Sequence, residues 1–149
     1  MRPRLKMRLG DLLVHENIIS SEQLDNALAA QRTSGRKLGD TLIDLGFIGE
    51  PQLLRFLAQQ LNIPFLDITQ RRIDPEQAQL IPETYARRYR ALVLEADDDE
   101  VLLGMSDPTD LGGLDQLGPL VAPRTIELAI VQENQMLEAF DSVYRRTQD

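Results

Sequence analysis

Two stretches near the start of the chain carry the same order of hydrophobic and polar positions. Residues 8–31 and residues 37–60 align without a gap at an offset of 29, and Arg32–Arg36 separate the two copies. In each copy a short apolar run follows a Leu-Gly-Asp sequence, and leucines then recur at spacings of three and four, the period of one helix face. The pattern therefore predicts two consecutive helix pairs, a bundle of four helices over residues 8–61.

Polar residues at the predicted helix ends support this interpretation. Ser20, with Gln23 three residues later, has the capping-box sequence that begins a helix. Gly46 stands where the second copy leaves its short helix and turns left-handed, and Asn17 is its counterpart in the first copy. Asn adopts that conformation more readily than most residues, so we expect both copies to turn in the same way.

The pattern changes after the bundle. Apolar runs at Ala91–Ala96 and Val101–Met105 flank the acidic run Asp97–Glu100, which predicts a β-hairpin with a charged turn. Thr125–Val131 predicts another long strand, and an amphipathic helix follows it. These elements predict a small sandwich of a sheet with helices on one of its faces.

The predicted fold class is therefore α+β, with two subdomains. Residues 1–61 form an N-terminal four-helix subdomain from two tandem helical hairpins, and residues 62–149 form a small α/β sandwich subdomain. The length of 149 residues and the 42% hydrophobic content are sufficient for a real core.

Charge and composition then narrow the class of function. Residues 1–37 carry seven Lys or Arg against four acids, whereas residues 38–149 carry nine against twenty, and the net charge is −8. Such an acidic surface repels DNA and RNA, but a small anion is compatible with the basic end. With no cysteine and His15 as the single histidine, we predict no metal site, no catalytic residues and no enzyme activity.

The first residues are basic, but no apolar stretch of signal-peptide or membrane-spanning character follows them. Together with the absence of cysteine, this predicts a cytoplasmic location.

Helix packing explains the recurring leucines, but it does not require a cation, a Leu-Gly pair and a terminal glutamine in both copies. Arg and Lys bond to O6 and N7 of guanine, and a Gln amide offers both a donor and an acceptor. A glycine at a helix start exposes backbone N–H groups to a phosphate. A duplicated half-site suits a ligand that is itself two-fold, with two guanines and two phosphates.

The tandem spacing resembles the MshEN domain, which stands at the N-terminus of ATPases that drive MSHA-type pilus extension and some type II secretion systems. The later segments QLNIPFLDI and LLGMSDPTD are similar to the usual continuation of that domain. The resemblance implies that the paired motifs bind cyclic di-GMP, with no other cofactor. It assigns to the ligand, by position, Arg8, Leu9, Gly10, Leu24, Leu28 and Gln31 in the first copy and Lys37, Leu38, Gly39, Leu53, Leu57 and Gln60 in the second.

Three acidic residues have two interpretations each. Asp11 and Asp40 follow the Leu-Gly pairs, where they either accept hydrogen bonds from guanine or place a negative charge at a helix N-terminus. Asp107 is either a turn and helix cap or a ligand contact from the second subdomain. Lys37 stands where the motif has an arginine, and it lacks the planar guanidinium group with its paired N–H donors. Arg36 is adjacent to it.

The resemblance implies a regulatory domain that senses cyclic di-GMP for a bacterial pilus-extension or type II secretion ATPase. The chain has no G-x-x-x-x-G-K-[ST] sequence, so the C-terminal ATPase motor domain would be a partner outside it. The alternative is a docking module that anchors the ATPase to inner-membrane platform proteins without binding a nucleotide. Both functions imply a cytoplasmic position peripheral to the inner-membrane machinery.

Overall fold

The computed structural model describes Leu5 and residues 7–144. This part of the chain divides into two compact units, which we call the helical unit, ending at Leu61, and the sheet unit, beginning at Asn62.

The helical unit contains two pairs of helices. Each pair consists of a short helix and a longer one, in the order α1 (Leu9–His15), α2 (Ser21–Ser34), α3 (Leu38–Asp44) and α4 (Glu50–Leu61). Helix α1 contacts both α2 and α3. Leu13 of α1 and its counterpart Leu42 of α3 are completely buried, so equivalent positions of the two copies supply the core.

The predicted helix ends of this unit are confirmed. The Ser20 hydroxyl accepts from the Gln23 N–H at 3.0 Å, and the Ser20 N–H donates to Gln23 Oε1 at 2.9 Å, which completes the capping box before α2. Asn17 and Gly46 have φ angles of 61° and 77°. Both short helices therefore end through the left-handed conformation that these two residue types tolerate best.

The sheet unit contains four helices and four strands in its described part. In chain order they are β1 (Phe65–Leu66), α5 (Pro75–Ala78), α6 (Glu83–Tyr89), β2 (Ala91–Ala96), β3 (Glu100–Met105), α7 (Leu111–Val121), β4 (Thr125–Val131) and α8 (Glu133–Val143).

The strands form one mixed sheet in the order β1-β4-β3-β2. Strands β2 and β3 form the predicted antiparallel hairpin, in which Ala91 pairs with Met105. Strand β4 is parallel to β3 and to β1, with Glu100 opposite Thr125 and Phe65 opposite Ile130. A parallel pair needs a crossover connection, and α7 supplies it between β3 and β4.

Strand β2 is covered on both faces, contrary to the prediction of helices on one face. The four residues from Ala91 to Leu94 are all buried, at 0 to 2% exposed, although consecutive side chains of a strand point to opposite faces. Helices α5, α6 and α8 all contact this strand. The predicted α+β class, with two helical hairpins followed by an α/β sandwich, is nevertheless confirmed.

Candidate functional site

The two Leu-Gly sequences of the repeat open the short helices of the helical unit. Leu9 and Gly10 are the first residues of α1, and Leu38 and Gly39 are the first residues of α3. Gly10 is buried, whereas the other three are partly buried.

The two helix starts lie against each other. A Cβ atom added to Gly10 would lie 3.1 Å from Leu38 Cδ2, and one added to Gly39 would lie 3.9 Å from Leu9 Cδ2. Each leucine of one copy therefore approaches the glycine of the other, as expected for a pseudo-two-fold arrangement. The structure brings these four predicted residues together.

Each glycine also packs against a leucine of its own copy. The added Cβ at Gly10 would lie 2.6 Å from Leu24 Cδ1, and that at Gly39 would lie 3.0 Å from Leu53 Cδ2. No side chain fits at Gly10 unless Leu24 moves. The sequence interpretation assigned the glycines to the approach of a phosphate and missed this close packing between helices, for which the local sequence carries no separate signal.

Arg8 and Lys37, the two predicted cations, occupy the N-cap positions of α1 and α3. Both side chains are exposed. Each stands one residue before its Leu-Gly pair, so the backbone positions of both cations adjoin the junction, and their contact with a ligand stays a prediction. Arg36, which is adjacent to Lys37 in the sequence, pairs with Asp44 through its Nε at 2.8 Å.

The predicted residues of the long helices differ between the copies. Leu24, Leu28 and Gln31 on α2 are partly buried. On α4, Leu53 and Leu57 are each only 5% exposed. Gln60 is exposed at the end of α4.

The three predicted aspartates lie at helix starts or turns. Asp11 and Asp40 are exposed in the first turns of α1 and α3. Asp107 belongs to the sheet unit, where its Oδ1 accepts from the Thr109 N–H at 3.1 Å and from the Thr109 hydroxyl at 2.6 Å. The predicted turn role of Asp107 is confirmed, whereas the cap of α7 is Asp110. The ligand contact of Asp107 stays a prediction.

The acidic run between β2 and β3 forms a hydrogen-bonded turn. Asp97 Oδ1 accepts from the backbone N–H groups of Glu100, at 2.7 Å, and Asp99, at 2.8 Å. These bonds lower the pKa of Asp97 below its ordinary value. Among the described residues, no three His, Asp or Glu side chains cluster in a way that could hold a metal ion.

A separate pocket of about 340 Å³ lies within the sheet unit, beside α8. Ile68, Arg71, Gln135 and Glu138 are among the residues that line it, and none of the predicted ligand residues does. Arg71 forms an ion pair with Glu95.

No helix of residues 7–144 has both the length and the apolar character that crossing a membrane requires.

Comparison with known proteins places this fold among characterised chains. The family model of the MshEN domain matches residues 61–149. A solved structure of MshE with cdg is 47% identical to this chain, with a TM-score of 0.85. That likeness covers 93% of this chain and 100% of the other, and it therefore includes both units.

Two type IV pilus assembly ATPases named PilB are also similar. The protein of Myxococcus xanthus is 30% identical, and the match covers 92% of this chain and 24% of that protein. The protein of Thermus thermophilus is 34% identical, and the match covers 94% of this chain and 15% of that protein. The bacteriophage adsorption protein B of Escherichia coli K12 is 30% identical over 93% of this chain and 18% of its own length. The chain thus spans a quarter or less of the curated relatives it matches.

Proposed function

Because this chain belongs to the MshEN domain family, as the tandem motifs predicted, we propose that its helical unit binds cyclic di-GMP. We further propose that the chain is the regulatory domain of a bacterial pilus-extension or type II secretion ATPase. Its motor domain would be a partner outside this chain, and the position would be cytoplasmic, at the inner-membrane machinery.

The observation that carries the proposal is the junction of the two Leu-Gly pairs. It brings two copies of one sequence motif together through Leu9, Gly10, Leu38 and Gly39. A ligand with two guanines can then engage both copies at one place. The related MshE, whose solved structure includes cdg, supports cyclic di-GMP as this ligand.

The residues around the junction supply the chemistry that a guanine needs. Arg8 and Lys37 are exposed cations that can bond to guanine O6 and N7. Leu24 and Leu28 leave part of their apolar surface open for a base. Gln31 lies three residues after Leu28, and Gln60 lies three residues after Leu57. Residues three apart are neighbours on a helix surface, so each glutamine lies near the face that carries its leucine.

A ligand that bridges the two copies would stabilise one arrangement of the helical unit. The effect on a motor can be no larger than the difference between the ligand's affinities for the two arrangements. A micromolar ligand binds with about −8 kcal/mol, so part of that energy is enough for a several-fold regulatory effect.

Isothermal titration of the 149-residue chain with cyclic di-GMP tests the proposal. We expect saturable binding that Arg8→Ala weakens by about tenfold or more, since one guanine readout is worth roughly 1–3 kcal/mol. His15→Ala is the matched control, because His15 is an exposed residue at the opposite end of α1 and its side chain pairs with Glu16. An absence of heat with the unaltered chain would refute the proposal.

A docking module is the second candidate. The family match begins at residue 61 and thus lies outside the tandem motifs. Residues 62–144 hold sixteen acidic residues against six arginines, a net charge of −10, which suits a basic segment of a platform protein. If Gln31→Ala and Gln60→Ala left nucleotide binding intact, while replacement of the exposed acidic residues Asp98 and Asp99 by lysine abolished capture of the platform protein, docking would be the better description.

A further inference from the structure

The pocket beside α8 is formed by two segments of the sheet unit. One wall is the segment 68–73, which follows β1. The other wall is α8, through Gln135, Glu138, Ala139, Ser142 and Val143. Their spacings of three and four place these five residues on one face of the helix. The volume of about 340 Å³ is in the range of pockets that hold a ligand.

The most buried residues of this pocket are apolar. Ile68 of the first wall and Val143 of α8 are each 5% exposed. Ile73 and Ala139, which also line the pocket, are partly buried. Removing apolar surface from water is favourable, so the inner part of the pocket suits an apolar side chain.

The carboxamide of Gln135 joins the two walls. Its Oε1 accepts from the Ile68 N–H at 3.2 Å, so the two N–H donors of its amide nitrogen remain available. In the described part of the chain, no acceptor bonds to this nitrogen. Ser142 adds an exposed hydroxyl to the lining. An extended peptide segment presents backbone carbonyl oxygens, the acceptors that such donors need.

The charged groups at the pocket are mostly negative. Arg71 lines the pocket and is paired with Glu95. Thr69, another lining residue, donates its hydroxyl to the carboxylate of Asp67 at 2.6 Å. With the carboxylate of Glu138, the lining residues and their direct partners carry one positive charge and three negative charges. This balance favours a cationic partner over an anionic one.

Glu138 differs from the other acids of α8 in having no cation. Asp141 pairs with Arg87 at 3.0 Å, and Glu133 lies 3.9 Å from the Nε of Arg90. Glu138 is exposed, and no Lys or Arg of the described residues forms an ion pair with it. Its carboxylate is therefore available to a cation from outside the chain.

We propose that this pocket is a docking site for an extended segment of a partner protein. A leucine or isoleucine of that segment would fill the pocket, and a neighbouring lysine or arginine would pair with Glu138. The net charge of −10 over residues 62–144 would attract such a basic segment. The inference goes beyond the binding of cyclic di-GMP, since none of the predicted ligand residues lines this pocket, and it gives the docking candidate a defined surface.

Nuclear magnetic resonance of the 149-residue chain tests the proposal with a capped lysine-leucine-leucine-lysine tetrapeptide. We expect saturable shifts of backbone amides, concentrated in residues 68–73 and 135–143, with a Kd below about 5 mM. Two matched peptides are the controls. Lysine-serine-serine-lysine lacks the apolar side chains and glutamate-leucine-leucine-glutamate reverses the charges, so both should bind about fivefold more weakly or worse.

Two charge reversals in the protein localise the binding. Glu138→Lys should raise the Kd of the lysine-leucine-leucine-lysine peptide about fivefold or more. Glu127→Lys is the matched control, because Glu127 is an exposed acid of the same unit that does not line the pocket. It should change the Kd less than about twofold, since exposed charges are screened by salt. The amide spectrum of each variant shows whether it is folded.

The outcomes separate this inference from the proposed binding of cyclic di-GMP. Localised shifts that Glu138→Lys weakens and Glu127→Lys does not would support the docking site. The inference is overturned if no saturable shifts occur, if the serine peptide binds equally well, or if both lysine variants have the same effect. The titration with cyclic di-GMP is a separate measurement on the same chain, so either proposal can fail while the other stands.

Discussion

The helical unit and the sheet unit bury their side chains to different degrees. Among the described residues of the helical unit, three apolar residues have no exposed surface, namely Leu13, Ala27 and Leu42. Among those of the sheet unit there are sixteen, including the run Ala91–Val93 of β2. Buried apolar area is the main favourable term in folding. The difference teaches that the sheet unit has the larger fully buried core, whereas the helical unit keeps partly exposed leucines and exposed cations, the groups that the proposed ligand would contact.

The largest effect that tests this contrast is expected at Phe140 of α8. Its ring is completely buried, with the Arg87 guanidinium 5.3 Å from its centroid. Phe140→Ala should lower the free energy of unfolding by about 3–5 kcal/mol, as measured by urea denaturation. Tyr85→Ala is the control, because Tyr85 is an aromatic residue 39% exposed in the same unit, and it should have a much smaller effect.

Phe140→Ala also tests whether ligand binding depends on the core of the sheet unit. Apart from Asp107, the predicted ligand residues all belong to the helical unit. The folded fraction of Phe140→Ala should therefore bind cyclic di-GMP with its original Kd. Loss of binding in protein that is still folded would show that the sheet core supports the ligand site directly.

The next effect is expected at the glycines of the junction. Gly10→Ala places a Cβ 2.6 Å from Leu24 Cδ1, so Leu24 has to move, and we expect a loss of about 1–2 kcal/mol of stability. Gly39→Ala meets Leu53 Cδ2 at 3.0 Å and needs a smaller shift, so its effect should be closer to zero. Thermal unfolding of the two variants side by side measures the difference.

Binding adds a second readout to this pair. Because Gly10→Ala displaces Leu24 from the partly exposed face of α2, it should also weaken cyclic di-GMP binding more than Gly39→Ala does. Equal losses of stability and of affinity in both variants would mean that the two helix starts are equivalent, contrary to the distances.

The features that the sequence predicted are those that depend on neighbours along the chain. The capping box of Ser20 and Gln23, the left-handed turns at Asn17 and Gly46, and the hairpin around Asp97 each involve residues a few positions apart. Such contacts leave a direct signature in residue type and spacing.

The features that the sequence did not reveal depend on distant partners. Parallel pairing of β4 with β1 joins segments more than 60 residues apart, as in Phe65 with Ile130, and no local pattern encodes it. The burial of β2 likewise depends on other elements, since α5 and α8 contact this strand in addition to the preceding helix α6. For the candidate site, the repeat identified Leu24 and Leu53 as equivalent, but their unequal burial depends on the surroundings of each helix.

An effect smaller than those of Phe140→Ala and Gly10→Ala is expected at Tyr144, just after α8. Its hydroxyl lies 2.7 Å from the Ile81 carbonyl oxygen and 3.1 Å from that of Ala78, and it donates to them. Tyr144→Phe removes this link and should lower the free energy of unfolding by about 1 kcal/mol at neutral pH, as is typical for one net hydrogen bond. Urea denaturation at pH 7 measures it, with Tyr85→Phe as the control for an exposed tyrosine.

The stability that the Tyr144 hydrogen bond contributes is expected to depend on pH. Burial, and then the negative charge of Glu83, raise the pKa of Tyr144 from 10.0 to about 12. The folded protein holds the hydroxyl proton of Tyr144 more tightly than the unfolded chain does. The contribution of this proton to the free energy of unfolding is therefore complete below pH 10, and it is lost as the pH rises from 10 through 12. Since all three tyrosines lie after residue 61, this alkaline loss belongs to the sheet unit. The stability difference between the unaltered chain and Tyr144→Phe should narrow over that range, and a difference that stays constant with pH would mean that the hydroxyl proton contributes nothing to the fold.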